Sequence, residues 1–222
     1  MGHSHADERQ RHLTYLKKIG YYSKKKTVFS SERQSERVQA LRQEFTESVA
    51  KIPPEDLVFI DESGLSVKMT RARARCFKGL RIKDHVPGRW DKNLTVVGAL
   101  TQQGPTALMT LPGALDGVAF SGYVKDFLIP SLRVGNVVVM DNLSVHKVPC
   151  IADLIKSAGA RLLYLPPYHP DLNPIEKMWS KLKALLRAAK ARTMDCLEQA
   201  LVGAISRVKV SDAMGWFKCC GY

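Results

Sequence analysis

No stretch of this 222-residue sequence stays apolar for the ~18 residues that a membrane-crossing helix needs. The opening MGHSHADERQRH is polar and charged, so it lacks the apolar segment of a secretory leader. Gly2 matches one position of a lipidation site, but Ser4 comes too early for that motif. Cysteine is sparse and unpatterned. Cys76, Cys150, Cys196, Cys219 and Cys220 make an odd count without any Cys-x-x-Cys, which argues against a disulfide framework and a zinc site. Repeats and low-complexity segments are absent. These absences lead us to expect a protein of the reducing cytoplasm.

What is present is ordinary apolar content and unusual charge. At 45% hydrophobic residues the chain can build a real core, and its length suits one medium domain with an appendage. The net charge of +13 is concentrated in two segments. Residues 68–92 hold nine Lys/Arg against Asp84 and Asp91, and residues 177–192 hold six with no acid. Elsewhere the two signs cancel. Concentrated cationic charge suits a polyanion such as nucleic acid. Arg71, Arg73 and Arg75 alternate, so on an extended segment they share one face. With Lys78, and with Lys177, Lys181, Lys183 and Arg187, they are the expected contacts to DNA phosphates, which position DNA without reading its sequence.

Patterning divides the chain at Pro53-Pro54 into residues 1–52 and 53–222. The first part is polar, with helical spacing in HLTYLKKIGYY and in SERQSERVQALRQEFTESVAKI. In the second, LVFID and GNVVVMDN are short apolar runs ending in aspartate, as expected of strands buried on both faces. NLTVVGALTQQG and PTALMTLPG predict two strands turning at Gly104-Pro105. ARLLYLPP predicts a strand stopped by prolines. AFSGYVKDFLIPSL, IADLIKSAG, NPIEKMWSKLKALLRAAK and TMDCLEQALVGAISRV predict helices. Residues 65–92 predict a basic ribbon or loop. Strand–helix–strand units imply parallel neighbours, hence an α/β mixed sheet with helices on its faces.

Asp61 and Asp141 each end an apolar strand, where open α/β sheets bind ligands. An acid beside a buried run is costly unless it is solvated, paired or metal-bound. Glu62, Asp153 and Asp171 read as surface or turn residues. His146, Tyr168 and His169 flank the acids, and loop packing explains them as well as DNA contact. Trp179 reads as core.

Glu176 has two readings. Asn173 is the expected N-cap and Pro174 the first helical residue, which puts Glu176 at the capping-box position. Yet Glu176 lies off the apolar stripe of its helix, aligned with Ser180, Lys183 and Arg187. There it can face Asp61 and Asp141. On the second reading Asn173 does the capping and Glu176 is free. Three carboxylates suit Mg²⁺, and two such ions suit phosphodiester chemistry.

Taken together, LVFIDESG, VVVMDNLSVHK and LYLPPYHPDLNPIEKMWSKLK resemble the three catalytic blocks of DDE transposases of the Tc/mariner superfamily. The nearest resemblance is to the bacterial insertion-sequence-630-like branch. The 34 residues between Asp141 and Glu176 match that superfamily's spacing. The resemblance implies a ribonuclease-H-like fold with Asp61 on the first strand, Asp141 on the fourth and Glu176 on a late helix. It implies Mg²⁺- or Mn²⁺-dependent cleavage at transposon ends, with two ions, and strand transfer into a TA target. It also implies a homodimer or larger assembly on double-stranded DNA, and a nucleoid-associated location. Such transposases carry a bipartite helix-turn-helix region ahead of the catalytic domain. HLTYLKKIGYYSKKK resembles only its tail, so the expectation is a remnant of that region over residues 1–52. The chain is then a truncated copy or the second frame of a split gene. The alternative is a catalytically idle copy that binds DNA or dimerises.

Overall fold

A computed structural model describes residues 14–15, 18–21, 30–88 and 93–222. Two units are distinguished, residues 1–31 and 32–222. In the first, the described residues form one helical turn, closed by Ile19 N–H donating to the Tyr15 carbonyl. Of the expected helix over 12–22, residues 12–13, 16–17 and 22 lie outside the described residues, as do the basic run 24–26, Arg89 and Lys92.

The second unit is built on five strands: β1 (Leu57–Leu65), β2 (Leu94–Thr101), β3 (Gly104–Pro112), β4 (Val137–Met140) and β5 (Arg161–Tyr164). Their order in the sheet is β3-β2-β1-β4-β5. The first three form an antiparallel meander, while β4 and β5 join β1 in parallel. Among the described residues six α-helices accompany them: α1 (Glu36–Val49), α2 (Gly117–Tyr123), α3 (Pro149–Ser157), α4 (Pro174–Ala189), α5 (Met194–Ile205) and α6 (Val210–Cys220). The expected mixed sheet flanked by helices is what the chain forms.

The apolar runs of β1 and β4 are explained by two cores. Leu57, Phe59, Val137 and Val139 pack on one face with α4, α5 and α6. Val58, Ile60, Val138 and Met140 pack on the other with α2 and α3. A fully buried side chain of this size contributes ~1.5–3 kcal/mol. The sheet is therefore held from both sides, and alternation along each strand decides which face a residue serves. At the start of β4, Asn136 donates from Nδ2 to the Asp56 carbonyl (3.2 Å) and accepts from Arg133 N–H (2.7 Å).

α4 docks through the predicted stripe, with Ile175, Met178, Trp179, Leu182 and Leu186 buried. Its approach depends on Gly98, which pairs with Asp61 across β1 and β2. A Cβ at Gly98 would stand 2.4 Å from Leu108 Cδ2 and 3.5 Å from the Trp179 ring. The absence of a side chain lets the helix sit close to the strand that carries Asp61.

Two elements depart from expectation. The helix predicted from Ala119 starts at Gly117, where the Asp116 carboxylate accepts from Ala119 N–H (2.8 Å). It then runs on through a π-helical turn, Val124–Leu128. α6 was not predicted, although Ala213, Phe217 and Cys220 lie on one buried stripe. Phe45 and Val49 of α1 pack in the same cluster as β1. Among the described residues no helix is long and apolar enough to cross a membrane.

Candidate active site

The parallel register brings the two aspartates together. Phe59 pairs with Val139, so Asp61 and Asp141, each two residues further on, stand side by side. Alternation turns Asp61 toward the α4 face. Glu176, in the first turn of α4, lines the same cavity of about 400 Å³ as Asp61 and Asp141. β4 ends at Met140 while β1 continues to Leu65, and this stagger opens the space.

The electrostatics of the three acids differ. Asp61 is 9% exposed. Burial pushes its carboxyl up to about 8, helped by the charges of Glu176, Glu62 and Asp141. Burial would lift Asp141 too, but the His146 hydrogen bond, the Leu143 N–H and the nearby cations outweigh it and hold it below its ordinary value. Glu176 is exposed, and its carboxylate has no hydrogen-bond partner among the described residues. It does not fold back on Asn173.

The capping expectation needs correction. Asn173 occupies the N-cap position, but its side chain makes no cap hydrogen bond. Its Oδ1 is buried without a partner. The first turn is instead closed by the backbone, Glu176 N–H donating to the Asn173 carbonyl at 3.3 Å. Pro174, which has no N–H, already removes one of the donors a cap would serve.

The loop that delivers Glu176, residues 165–173, is pinned from several sides. Asn142 Nδ2 donates to the Leu165 carbonyl (2.7 Å). Arg33 and Arg42 both reach Asp171 Oδ2 at 3.0 Å. Tyr222 donates its hydroxyl to the Leu172 carbonyl (2.6 Å) while its ring packs on Phe59, 5.0 Å between centroids. Tyr168 adopts a left-handed backbone (φ 62°) at the cavity mouth. His169 is buried, with Nδ1 donating to the Pro167 carbonyl at 2.6 Å. Burial, with Arg42 and Arg33 nearby, lowers its pKa, which favours the neutral ring.

Glu62 and His146 had no assigned role in the sequence. Glu62 points to the opposite face from Asp61, as strand alternation requires. There it meets His146, which is fully buried. His146 Nδ1 stands 2.7 Å from Asp141 Oδ1, and Nε2 stands 3.2 Å from Glu62 Oε2. The second contact is close but off the N–H axis, an ion pair rather than an aligned hydrogen bond. Burial lowers the histidine's proton affinity, but the two carboxylates more than reverse this and carry it up to about 9.

The two basic tracts meet at the far end of α4. Arg192 donates to the Val67 and Met69 carbonyls (3.0 and 2.9 Å). Asp84 pairs with Lys190 (3.0 Å) and bonds Thr70. The irregular segment 66–88 is thereby anchored at its base, with Arg71, Arg73, Arg75 and Lys78 exposed. Lys183 and Arg187 share the face of Glu176, and Lys177 is half-buried. Lys181 differs from expectation, because Asp212 of α6 engages its ammonium at 2.5 Å. Both partners of this pair are partly exposed.

The acids fit a hard divalent ion in kind: they offer oxygen donors only, surplus negative charge and room for water. Among the described residues no three His, Cys, Asp or Glu side chains are arranged as a ready-made metal site. Mg²⁺ does not need that, since it keeps several waters and takes one or two carboxylates plus substrate phosphate.

The sheet and its helices are those of a ribonuclease-H-like domain. A family model described as DDE superfamily endonuclease matches residues 56–199, and the chain belongs to that family. Among curated proteins it is similar to the transposable element Tcb1 transposase of Caenorhabditis briggsae. The two are 30% identical over 95 residues, which is 41% of this chain and 34% of that protein. The chain thus matches about a third of that relative's length. Among solved structures it resembles a pre-cleavage Mos1 transpososome (TM-score 0.74, 15% identity, 96% of this chain and 70% of that one). It also resembles the catalytic domain of Mos1 mariner transposase (TM-score 0.55, 16% identity, 90% of this chain and 96% of that one). At these identities the likeness establishes the fold.

Proposed function

We propose that the chain supplies the catalytic domain of a transposase, which cuts DNA at transposon ends and joins the freed strand to target DNA. One observation carries this reading: Asp61, Asp141 and Glu176 line a single cavity at the end of a helix whose other end meets the basic segment. Asp61, Asp141 and Glu176 hold Mg²⁺ or Mn²⁺, two ions in all. When bound, such ions activate the attacking oxygen and offset charge on the leaving one. The raised proton affinity of Asp61, owed first to burial and then to the neighbouring carboxylates, supports this reading, because a divalent cation offsets the cost of a buried charge among like charges.

Arg71, Arg73, Arg75, Lys78, Lys177, Lys183 and Arg187 hold backbone phosphates along the path away from the acids. Related solved structures include Mos1 paired-end complexes with Mg and with Mn. By analogy this chain works as a dimer or larger assembly on paired ends of nucleoid DNA, with a TA target. The sequence motifs favour the insertion-sequence-630-like branch. Residues 53–222 carry the chemistry, and residues 1–52 keep part of a DNA-binding region.

The test is cleavage and joining of labelled DNA carrying the element's ends, with Mg²⁺, by the wild type and by Asp61→Asn, Asp141→Asn and Glu176→Gln. Both activities should vanish in each variant. Activity that survives all three changes rules out the triad. Binding without cleavage by the wild type favours the idle remnant. Affinity should also fall steeply with salt.

A further inference from the structure

We propose that His146 is the positioning residue for Asp141, fixing that carboxylate from the reverse face of the sheet so that one oxygen is presented to the cavity. The proposal rests on the metal-binding reading of the acids given above.

The geometry is one-sided. Leu143 N–H (3.0 Å) and His146 Nδ1 (2.7 Å) both donate to Oδ1 of Asp141. Oδ2 accepts no hydrogen bond among the described residues. A free aspartate at a strand end rotates about χ1 and χ2. One held twice through the same oxygen has its other oxygen's direction set.

His146 is itself held on every side. Its ring lies 4.5 Å from that of Phe120, its backbone N–H donates to the Leu143 carbonyl (3.1 Å), and its carbonyl accepts from the Tyr164 hydroxyl (3.2 Å). Nε2 faces Glu62, one residue after Asp61 on the neighbouring strand. The imidazole therefore bridges from the end of β4 to the middle of β1 and ties the aim of Asp141 to the position of β1. Partners that orient ligand side chains in this way typically change metal affinity by ~10–100-fold when removed.

A core histidine that merely packs would occupy the same place, so the test separates donor position from volume. An Asn side chain puts its amide nitrogen near the place of Nδ1, and Gln puts it near Nε2. Phe keeps the ring and its stacking on Phe120 but donates nothing. Mn²⁺ is titrated calorimetrically into the full chain for wild type, Asp141→Asn, His146→Asn, His146→Gln and His146→Phe. Thermal unfolding of each is followed in parallel without metal.

The expected order places His146→Asn close to wild type, and His146→Gln and His146→Phe weaker by ~10–100-fold. In DNA cleavage the two weak variants need more Mn²⁺ for half-maximal rate and recover most of their kcat when it is saturating. If His146→Phe does not fold, the contrast between Asn and Gln decides alone. Equal Mn²⁺ affinity in His146→Asn and His146→Gln, with weak binding by Asp141→Asn, overturns the positioning role and leaves the metal reading intact. A wild type that binds no Mn²⁺, or an Asp141→Asn that binds it unchanged, removes the metal reading and the proposal with it.

Discussion

The two aspartates and the glutamate are held in place by different means. Asp61 lies within β1, paired with Gly98, and Asp141 directly follows β4, so ladder hydrogen bonds and two-sided burial set their position. Glu176 follows a loop with no ladder, held by Asn142, by the Arg33–Asp171–Arg42 cluster and by Tyr222. The backbone positions the first pair, and side chains from distant parts of the chain position the third acid. Damage to the strands should therefore appear as lost stability, and damage to the loop pins as lost activity.

Outside the three acids themselves, the largest effect on activity is expected from Asp171→Ala. It releases both guanidinium groups from the loop five residues before Glu176. DNA cleavage should fall on the order of 10- to 100-fold, as misplacement by about 1 Å does elsewhere. Because the pairs are partly exposed, stability should change by less than about 1 kcal/mol. Single-turnover cleavage and calorimetric unfolding of the same preparation check this. Equal loss in both would erase the distinction.

Val139→Ala should show the reverse. It removes two methyl groups from a fully buried strand site, at a cost of about 2–3 kcal/mol. Cleavage per folded molecule should hardly change below the unfolding transition.

A smaller effect is expected from Tyr222→Phe. The ring keeps its place on Phe59 and Phe217, and only the hydroxyl bond to Leu172 is lost. One such bond is worth ~1 kcal/mol. If all of it is spent on placing Glu176, the rate falls by up to about fivefold.

The smallest effect lies in acid. Burial would raise the Asp171 carboxyl, but the hydrogen bond from Arg42 and the charges of Arg42 and Arg33 lower it. A lowered folded pKa gives stability that is complete above the unfolded value, ~3.9. That stability is lost as pH falls through the lower folded value. The stability difference between wild type and Asp171→Asn should thus shrink with acidification below about pH 4, as measured by urea unfolding.

The same contrast explains what could be read in advance. An apolar run ending in aspartate is a local pattern, so both strands and their acids were legible, as was the helix that carries Glu176. The fate of the basic tracts was half legible: their charge is in the composition, but the Arg192 and Asp84 contacts that join them are tertiary. Glu62 was correctly expected to point away from Asp61, but not to find a partner there, because His146 reaches it only once the strands are paired. Asp171 looked like a turn residue because its two arginines lie more than a hundred positions earlier. Lys181 reads as a DNA contact from charge alone, because its partner Asp212 sits on a helix that the sequence pattern does not mark. Asn173 was given a cap's role from its residue type, whereas the backbone closes that turn.

The pairing of β1 with β4 covers only three residue pairs, from Leu57–Val137 to Phe59–Val139. Sliding β4 by one residue would exchange the faces of all its side chains. The run VVVM is apolar at every position, so burial alone would scarcely resist the slip. Asp141 would then turn toward Glu62, away from Glu176. Beside the β4–β5 ladder, one contact that resists is Asn136, whose amide grips the chain just before β1. A residue at the opposite end of the strand from the chemistry thus acts as the reading-frame marker of the site. Its loss would sort molecules into two registers, one with the acids together and one with them apart.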